Sequence, residues 1–173
     1  MGAYVSEVMF WLYRPLTFML WGGVFERFPR LKAMVVEGGT MFMVPSWLML
    51  LDHNYTDVQF SAKLGDFRSH LSMAPSEYFA RNCGIGASCV PRRDLDMKDQ
   101  IGLKQIMWGS DFPHPEGTWP NTAQYYVDTF KGFDAHAGRQ ILGENAIQFY
   151  GLDGDYLNSL AADIGPSTSI FNG

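Results

Sequence analysis

Two polar sites in the sequence each follow a short apolar run. Glu37 comes directly after residues 31–36 and before a pair of glycines, and Asp111 and His114 lie three residues apart after residues 105–109. Carboxylate and imidazole groups can transfer protons or bind a divalent metal ion. Each carboxylate could instead be a cap that accepts hydrogen bonds from loop amides at the end of a strand. Considered together, the two sites favour a chemical role over a purely capping role.

The hydrophobic pattern predicts the elements that must position these residues. Apolar residues recur at helical spacing from Val5 to Phe28, which predicts one helix ended by Pro29. Residues 31–36 and 105–109 are short and mostly apolar, so they predict buried strands of the parallel kind. Cys83–Ser88 is a weaker candidate for a strand between them, because it contains two glycines.

Helical patterns separate and follow these strands. Further helices are predicted over residues 45–54, 95–103, 122–130, 135–142 and 144–150, with one or two more turns within 152–164. Residues 55–73 contain Asp, Lys, Arg and His side chains and predict an irregular, solvated insertion. The alternation predicts an α/β domain with a parallel sheet. Ligands of such domains bind beyond the carboxyl ends of the strands, so we expect Glu37 and Asp111 at one edge, within reach of one small ligand.

Composition narrows the class of protein. The chain has 173 residues, 47% of them apolar, and 13 basic against 18 acidic residues give a net charge of −5. This balance disfavours nucleic-acid binding. Cys83 and Cys89 lack the spacing of a metal site, so both thiols are expected to be reduced. The most apolar run, 8–24, is interrupted by Arg, Pro and Gly, and the sequence has no signal peptide, which together predict a cytoplasmic protein that does not bind a membrane.

Four segments carry a resemblance to a known family. They are residues 22–32 (GGVFERFPRLK), 36–39 (VEGG), 109–117 (GSDFPHPEG) and 144–152 (ENAIQFYGL). In this order and spacing they resemble the amidohydrolase-related proteins similar to aminocarboxymuconate semialdehyde decarboxylase. The resemblance implies a (β/α)8 barrel in which a divalent metal ion, zinc or manganese, activates water or holds the carboxylate of a small-molecule substrate.

The resemblance also implies roles for individual residues. Asp111 matches the aspartate at the end of the last barrel strand, which binds the metal and can accept a proton from its water. Glu37 stands where the decarboxylase branch has a histidine in a His-Gly-Gly block. A glutamate could bind metal or act as an acid or base, but it cannot present a neutral imidazole, so the decarboxylase mechanism does not transfer intact. For His114, contact with substrate and a structural role in the loop both stay open.

The resemblance covers only part of the family's domain. A complete barrel needs about 250 residues, whereas this chain supplies about three strands and has no His-x-His pair. We therefore expect residues 1–173 to be the C-terminal half of a barrel, with 153–173 as a tail. Three strands cannot close a barrel, so we expect a homo-oligomer or association with the missing half.

Two functional hypotheses follow. The chain is the C-terminal part of a metal-dependent hydrolase or decarboxylase that acts on a small carboxylated or amide-type substrate. Alternatively, it is a non-catalytic α/β fragment that serves assembly or has no function.

Overall fold

The fold is built on one small parallel sheet. The computed structural model describes residues 1–38, 41–57 and 59–172. The strands are β1 (Ala33–Val36), β2 (Cys83–Ser88) and β3 (Ile106–Gly109). Their order is β1-β2-β3 and both pairs are parallel, with Ile85 opposite Val35 on one side and Ile106 on the other. The predicted parallel arrangement, with Cys83–Ser88 as the middle strand, is confirmed.

Helices precede, connect and follow the strands. They are α1 (Gly2–Trp21), α2 (Val24–Arg27), α3 (Val44–Thr56), α4 (Gln59–Leu64), α5 (Pro75–Asn82), α6 (Arg92–Leu95), α7 (Lys98–Ile101), α8 (Thr122–Phe130), α9 (Ala135–Arg139), α10 (Asn145–Tyr150) and α11 (Gly154–Ile164). Short 3₁₀ segments lie at Met41–Met43, Leu103–Gln105 and Thr168–Phe171, and a π-helical turn at Gln140–Glu144 joins α9 to α10. Helix α1 packs on β1, α5 on β2, and the π-helical turn with α10 on β3. None of the helices described here is long and apolar enough to cross a membrane.

Two predictions about the N-terminal half are wrong. The helix predicted from Val5 to Phe28 breaks after Trp21, because Gly23 adopts a left-handed conformation with φ 64° that ends a helix at little cost for glycine. The predicted irregular insertion at 55–73 contains α4. The Asp57 side chain accepts a hydrogen bond from the backbone N–H of Gln59 at 2.8 Å at the start of this helix.

Three helical predictions in the C-terminal half need adjustment. The helix predicted over 95–103 is replaced by α6 and α7, and Gly102 ends α7 with φ 102°. The two helices predicted within 135–150 are continuous, because the π-helical turn bridges them. The helical turns expected in 152–164 are a full helix, α11.

Two buried asparagines fix the segments that lead into the outer strands. The side-chain amide of Asn82 donates to two backbone carbonyls just before β1, at 3.0 and 2.7 Å. The amide of Asn145 donates to the carbonyls of Leu103 and Ile106, both at 2.8 Å. Both asparagines are buried, so these bonds give their amides partners in the interior of the protein. They therefore hold the chain at the starts of β1 and β3.

Glu26 in α2 belongs to a hydrogen-bonded cluster that ties this helix to α5. The Tyr78 hydroxyl donates to Glu26 Oε2, and the Ser72 hydroxyl donates to the same oxygen at 2.9 Å. These bonds favour the carboxylate form and lower the pKa of Glu26, with Tyr78 the largest cause. Arg81 adds a further bond by donating to the carbonyl of Phe25 at 2.7 Å.

We expect acid to weaken the fold through Glu26. Because its pKa is lower in the folded state, its stabilisation is fully present above the unfolded pKa of the carboxyl and is lost as the pH falls through the folded pKa. Tyr78→Phe removes the main donor, so its unfolding midpoint in urea should change less between about pH 7 and about pH 3 than that of the wild type. Tyr156→Phe, at an exposed tyrosine, is the control. An equal loss in Tyr78→Phe and wild type would exclude Glu26 as the acid-sensitive group.

Candidate functional site

The carboxyl ends of the three strands share one backbone feature. Glu37 follows β1 directly, Cys89 follows β2 directly, and Asp111 lies two residues beyond β3. Their φ angles are 58°, 52° and 60°, a left-handed conformation that is uncommon outside glycine. In a parallel sheet these ends lie at the same edge. Glu37 and Asp111 therefore leave the sheet at one edge, in the arrangement predicted from the sequence, and Cys89 lies between them.

Asp111 is partly shielded and is contacted on both oxygens. Its side chain is 20% exposed. The Ser88 hydroxyl donates to Oδ1 at 3.5 Å, and His114 Nδ1 lies 3.5 Å from Oδ2. His114 Nδ1 also lies 2.7 Å from Oε2 of Glu116, which is 82% exposed. The imidazole thus lies between the shielded carboxylate of Asp111 and the exposed carboxylate of Glu116. Because each carboxylate oxygen has more than one lone pair, Asp111 can still accept further hydrogen bonds.

The loop after β3 folds back on itself and fixes Asp111. Thr118 donates its backbone N–H to the carbonyl of Ser110 at 2.9 Å, and His114 donates to the carbonyl of Asp111 at 2.8 Å. Gly117 closes the loop, since a Cβ there would lie 2.8 Å from the Ser110 carbonyl oxygen. The glycine is required by this close approach. Asp111 therefore sits in a hydrogen-bonded loop beyond a strand end. Contact of His114 with a substrate stays a prediction.

Glu37 is held by the glycine that follows it. Gly38 donates its backbone N–H to the carbonyl of Gly86 at 3.1 Å. A Cβ on Gly38 would lie 2.6 Å from Cγ2 of Ile85, so this close approach requires glycine. Gly39 lies outside the described residues. The side chain of Glu37 is exposed, so it is free to meet a ligand at the edge of the sheet.

Glu37 and Asp111 are separated by the middle strand. Two strand spacings place their strands about 10 Å apart across the sheet. The register adds an offset along the strands, because Val36 pairs with Gly86 whereas Gly109 pairs with Ser88. A ligand shared by both carboxylates stays a prediction, and it requires the long side chain of Glu37 to reach toward Asp111.

The donor set in the described part of the chain does not complete a metal site. Within residues 1–38, 41–57 and 59–172, no group of three histidine, cysteine, aspartate or glutamate side chains is arranged to hold a metal ion. Catalytic metal sites commonly have three protein ligands. Asp111 can offer one carboxylate, so any metal held here needs ligands from outside the described residues.

β2 also contributes to this edge, through residues that are not among the site residues predicted from the sequence. Ser88 contacts Asp111, and the Tyr125 hydroxyl donates to the carbonyl of Cys89. The Cys89 thiol lies 3.6 Å from the carbonyl oxygen of Glu116 and can donate to it. The signal for Ser88 and Cys89 is their position at the end of a predicted strand, the same rule that identifies Glu37. No such signal identifies Tyr125, which reaches the edge from α8.

Both cysteines are free thiols, and burial raises the pKa of each. The pKa of Cys83 rises to about 12, and that of Cys89 rises by partial burial and by the nearby negative charge of Asp111. Alkylation requires the thiolate. At about pH 8 we expect iodoacetamide to modify Cys89 more slowly than a free cysteine, and Cys83 only after unfolding. Mass spectrometry of the native protein, with Cys89→Ser as the control, measures the rate of labelling at each thiol. Labelling of Cys83 without unfolding would contradict the burial argument.

Comparison with known proteins identifies the family of the chain. The model of the family described as amidohydrolase matches residues 12–152. The chain belongs to the amidohydrolase family. It is 27% identical over 138 residues to the 2-amino-3-carboxymuconate-6-semialdehyde decarboxylase of Dictyostelium discoideum, covering 78% of this chain and 35% of the relative. The family resemblance in the sequence is thereby confirmed.

Solved structures agree with this assignment. The crystal structure of 5-carboxyvanillate decarboxylase from Sphingomonas paucimobilis matches with a TM-score of 0.62 and 27% identity, covering 78% of this chain and 38% of that one. An amidohydrolase from Mycobacterium avium subsp. paratuberculosis matches with a TM-score of 0.59 and 26% identity, covering 76% and 31%. A dihydroxybenzoic acid decarboxylase from Polaromonas sp., solved with manganese and 2-nitroresorcinol, has a TM-score of 0.57, covers 76% and 37%, and at 19% identity shows the fold alone.

This member of the amidohydrolase family spans little more than a third of its relatives, 35% of the Dictyostelium decarboxylase and 38% of the Sphingomonas decarboxylase. Its three parallel strands with flanking helices are part of the α/β barrel architecture of those proteins. The predicted fold class, a portion of a (β/α)8 barrel, is confirmed.

Proposed function

We propose that this chain forms the C-terminal part of a metal-dependent decarboxylase that acts on a small carboxylated substrate. The observation that carries the proposal is the placement of Asp111, a partly shielded carboxylate fixed at the carboxyl end of β3. In barrels of this class the active site lies at that end of the strands. The decarboxylases at 27% identity favour carbon–carbon bond cleavage over hydrolysis.

The contacts of Asp111 support a role in proton transfer. Loss of carbon dioxide leaves a carbanion on the substrate, and Asp111 can deliver to that carbon a proton that the carboxylate first takes up from water. The hydroxyl of Ser88 and the imidazole of His114 approach opposite oxygens of the carboxylate, so they orient it. His114 is exposed and is positioned to contact a polar group of the substrate as well.

A divalent ion is the second component of the proposal. We assign Asp111 as one ligand of zinc or manganese, with the remaining ligands supplied from outside this chain. When bound, such an ion acts as a Lewis acid that stabilises negative charge on substrate oxygens. The manganese in the Polaromonas decarboxylase is a property of that protein, and its likeness to this chain extends to the fold alone.

Glu37 makes this chain differ from the decarboxylase pattern given above for the family. A carboxylate in place of the neutral imidazole adds negative charge at the edge of the sheet. Glu37 is therefore assigned as an acid or base for a substrate that carries a compensating positive or hydrogen-bond-donating group, rather than as a substitute for the histidine.

A complete site requires a partner for the sheet. β1 and β3 are the outer strands of the described sheet, and a barrel forms only when each outer strand pairs with a further strand. The proposed partner is the missing part of the barrel, in the same or a separate polypeptide. The other expected partner is the small-molecule substrate, and the net charge of −5 gives no support for nucleic acid.

The experiment is a decarboxylation assay with a complementing barrel portion. The chain, alone and mixed with the barrel portion it lacks from the Sphingomonas decarboxylase, is given 5-carboxyvanillate or a dihydroxybenzoate with zinc or manganese, and released carbon dioxide is measured. We expect turnover only in the mixture. If the two parts associate and no substrate is turned over, the proposal is contradicted and the non-catalytic hypothesis is favoured.

A further inference from the structure

Helix α1 is apolar on two opposite faces. One face is buried against β1 and α5, through Met9, Tyr13, Leu16 and Leu20, and Tyr13 also packs against Trp47 of α3. The opposite face also carries large aromatic residues, and these are exposed: Tyr4 is 68% exposed, Trp11 62% and Phe18 63%. A helix that is hydrophobic all round is normally buried on all sides. The second face of α1 therefore needs a partner.

The exposed face has a regular pattern. We call it the aromatic stripe of α1, and it consists of Tyr4, Glu7, Trp11, Arg14 and Phe18. Successive members are spaced by three, four, three and four residues, so they lie along one face of the helix. The aromatic members recur every seven residues, the spacing typical of seams between packed helices.

The charges of the stripe show which partner fits. Glu7 and Arg14 lie at nearly equal distances on either side of Trp11. In an antiparallel pair of these helices, Glu7 faces Arg14 of the partner subunit, Arg14 faces Glu7 of the partner subunit, and the two Trp11 side chains meet at the symmetry axis. In a parallel pair the two Glu7 side chains would face each other. The stripe is self-complementary only in the antiparallel arrangement, as a twofold interface requires.

We propose that the aromatic stripe of α1 docks antiparallel onto the same stripe of a second copy of this chain. The guanidinium of Arg14 already lies over the stripe, 5.2 Å from the ring centre of Phe18 and 6.0 Å from that of Trp11. It therefore presents its charge at the contact surface, where it can meet a carboxylate, while its stem covers aromatic surface.

The surrounding surface extends the interface. Phe10, Phe42 and Leu50 are exposed and line a groove of about 780 Å³ between α1 and α3, and Arg14 of the stripe lines the same groove. Each aromatic side chain can bury roughly 150–250 Å². Together with the stripe, these side chains offer an area of the same order as the ~800 Å² per partner found in stable interfaces. The proposal is independent of the proposed activity, because it uses no residue of the strand edge.

Charge reversal with rescue tests the proposal. Sedimentation equilibrium of the full chain should give a dimer. Glu7→Arg and Arg14→Glu each place like charges opposite one another twice per dimer, so each should raise the dimer dissociation constant at least about tenfold. The double variant Glu7→Arg/Arg14→Glu restores both pairs and should dimerise like the wild type. Asp163→Arg is the control: it makes the same change of charge as Glu7→Arg, but on exposed α11, and should leave the dimer dissociation constant unchanged.

The outcomes are distinct. Single variants that dimerise like the wild type, or a double variant that fails to recover, would overturn the antiparallel pairing. A wild-type chain that stays monomeric at all concentrations would overturn the second copy as occupant, and binding of the complementing barrel portion through the stripe would then identify that portion as the partner. Circular dichroism of each variant shows whether the helices are retained. The mixture of the two single variants pairs opposite charges, so it should dimerise even where neither variant does alone.

Discussion

Asp111→Asn is expected to lower decarboxylation by the complemented protein by roughly 10²–10⁴-fold, the usual contribution of a positioned acid or base. The amide keeps the shape of the side chain but loses the charge and the ability to hold and release a proton. Asparagine also tolerates the left-handed backbone at this position, with φ 60°. The loss should therefore occur with an unchanged melting temperature, which separates chemistry from folding.

The matched control for this prediction is in the same loop. Glu116→Gln alters an exposed carboxylate that contacts the same imidazole, and we expect it to reduce activity far less. Calorimetric titration with zinc or manganese should show weaker binding for Asp111→Asn and little change for Glu116→Gln. Full activity and unchanged metal affinity in Asp111→Asn would leave the carboxylate as a cap at the strand end and remove the central argument for the site.

Asn145→Ala is expected to destabilise the fold by about 2 kcal/mol, because it leaves one buried and one part-buried carbonyl without this donor, and a buried acceptor without a donor costs ~1–3 kcal/mol. The carbonyls belong to Leu103 and Ile106, on either side of the start of β3. Chemical denaturation by urea measures the change in the free energy of unfolding. The consequence for function is indirect, since β3 carries Asp111 at its other end.

An exposed asparagine provides the reference. Asn158 lies on α11 and is exposed, so Asn158→Ala should change the free energy of unfolding by less than about 0.5 kcal/mol. If the two alanine variants unfold at the same urea concentration, the hydrogen bonds of Asn145 contribute no net stability and β3 is held by packing alone.

β1 and β3 were predictable because each is a short, mostly apolar segment between helical segments. β2 was predicted weakly, since Gly84 and Gly86 lower strand propensity, yet both of its neighbours pair with it. The helix break at Gly23 was missed because apolar residues continue on the helical period beyond it. Whether a glycine ends a helix depends on the packing of the following residues, here the burial of Phe25, which no local pattern reveals.

The strand edge was predictable in outline. Position after an apolar strand was enough to place Glu37 and Asp111 at one edge, because parallel strands present their carboxyl ends together. The contact between Ser88 and Asp111 was not predictable, since it depends on the register of β2 and β3, in which Ser88 pairs with Gly109. The roles of these residues in chemistry stay predictions until the variants are measured.

The left-handed residues that follow the strands affect how substitutions among homologues should be interpreted. Glycine, asparagine and aspartate adopt this conformation most readily, and β-branched residues adopt it least. A narrow choice of residues at position 89, where Cys89 has φ 52°, would therefore record a backbone requirement even if the thiol has no chemical role. At positions 37 and 111 the backbone and the proposed chemistry both restrict which residues can be accepted. The left-handed backbone disfavours glutamate, so a glutamate retained at 37 would be stronger evidence of selection for function than an aspartate retained at 111.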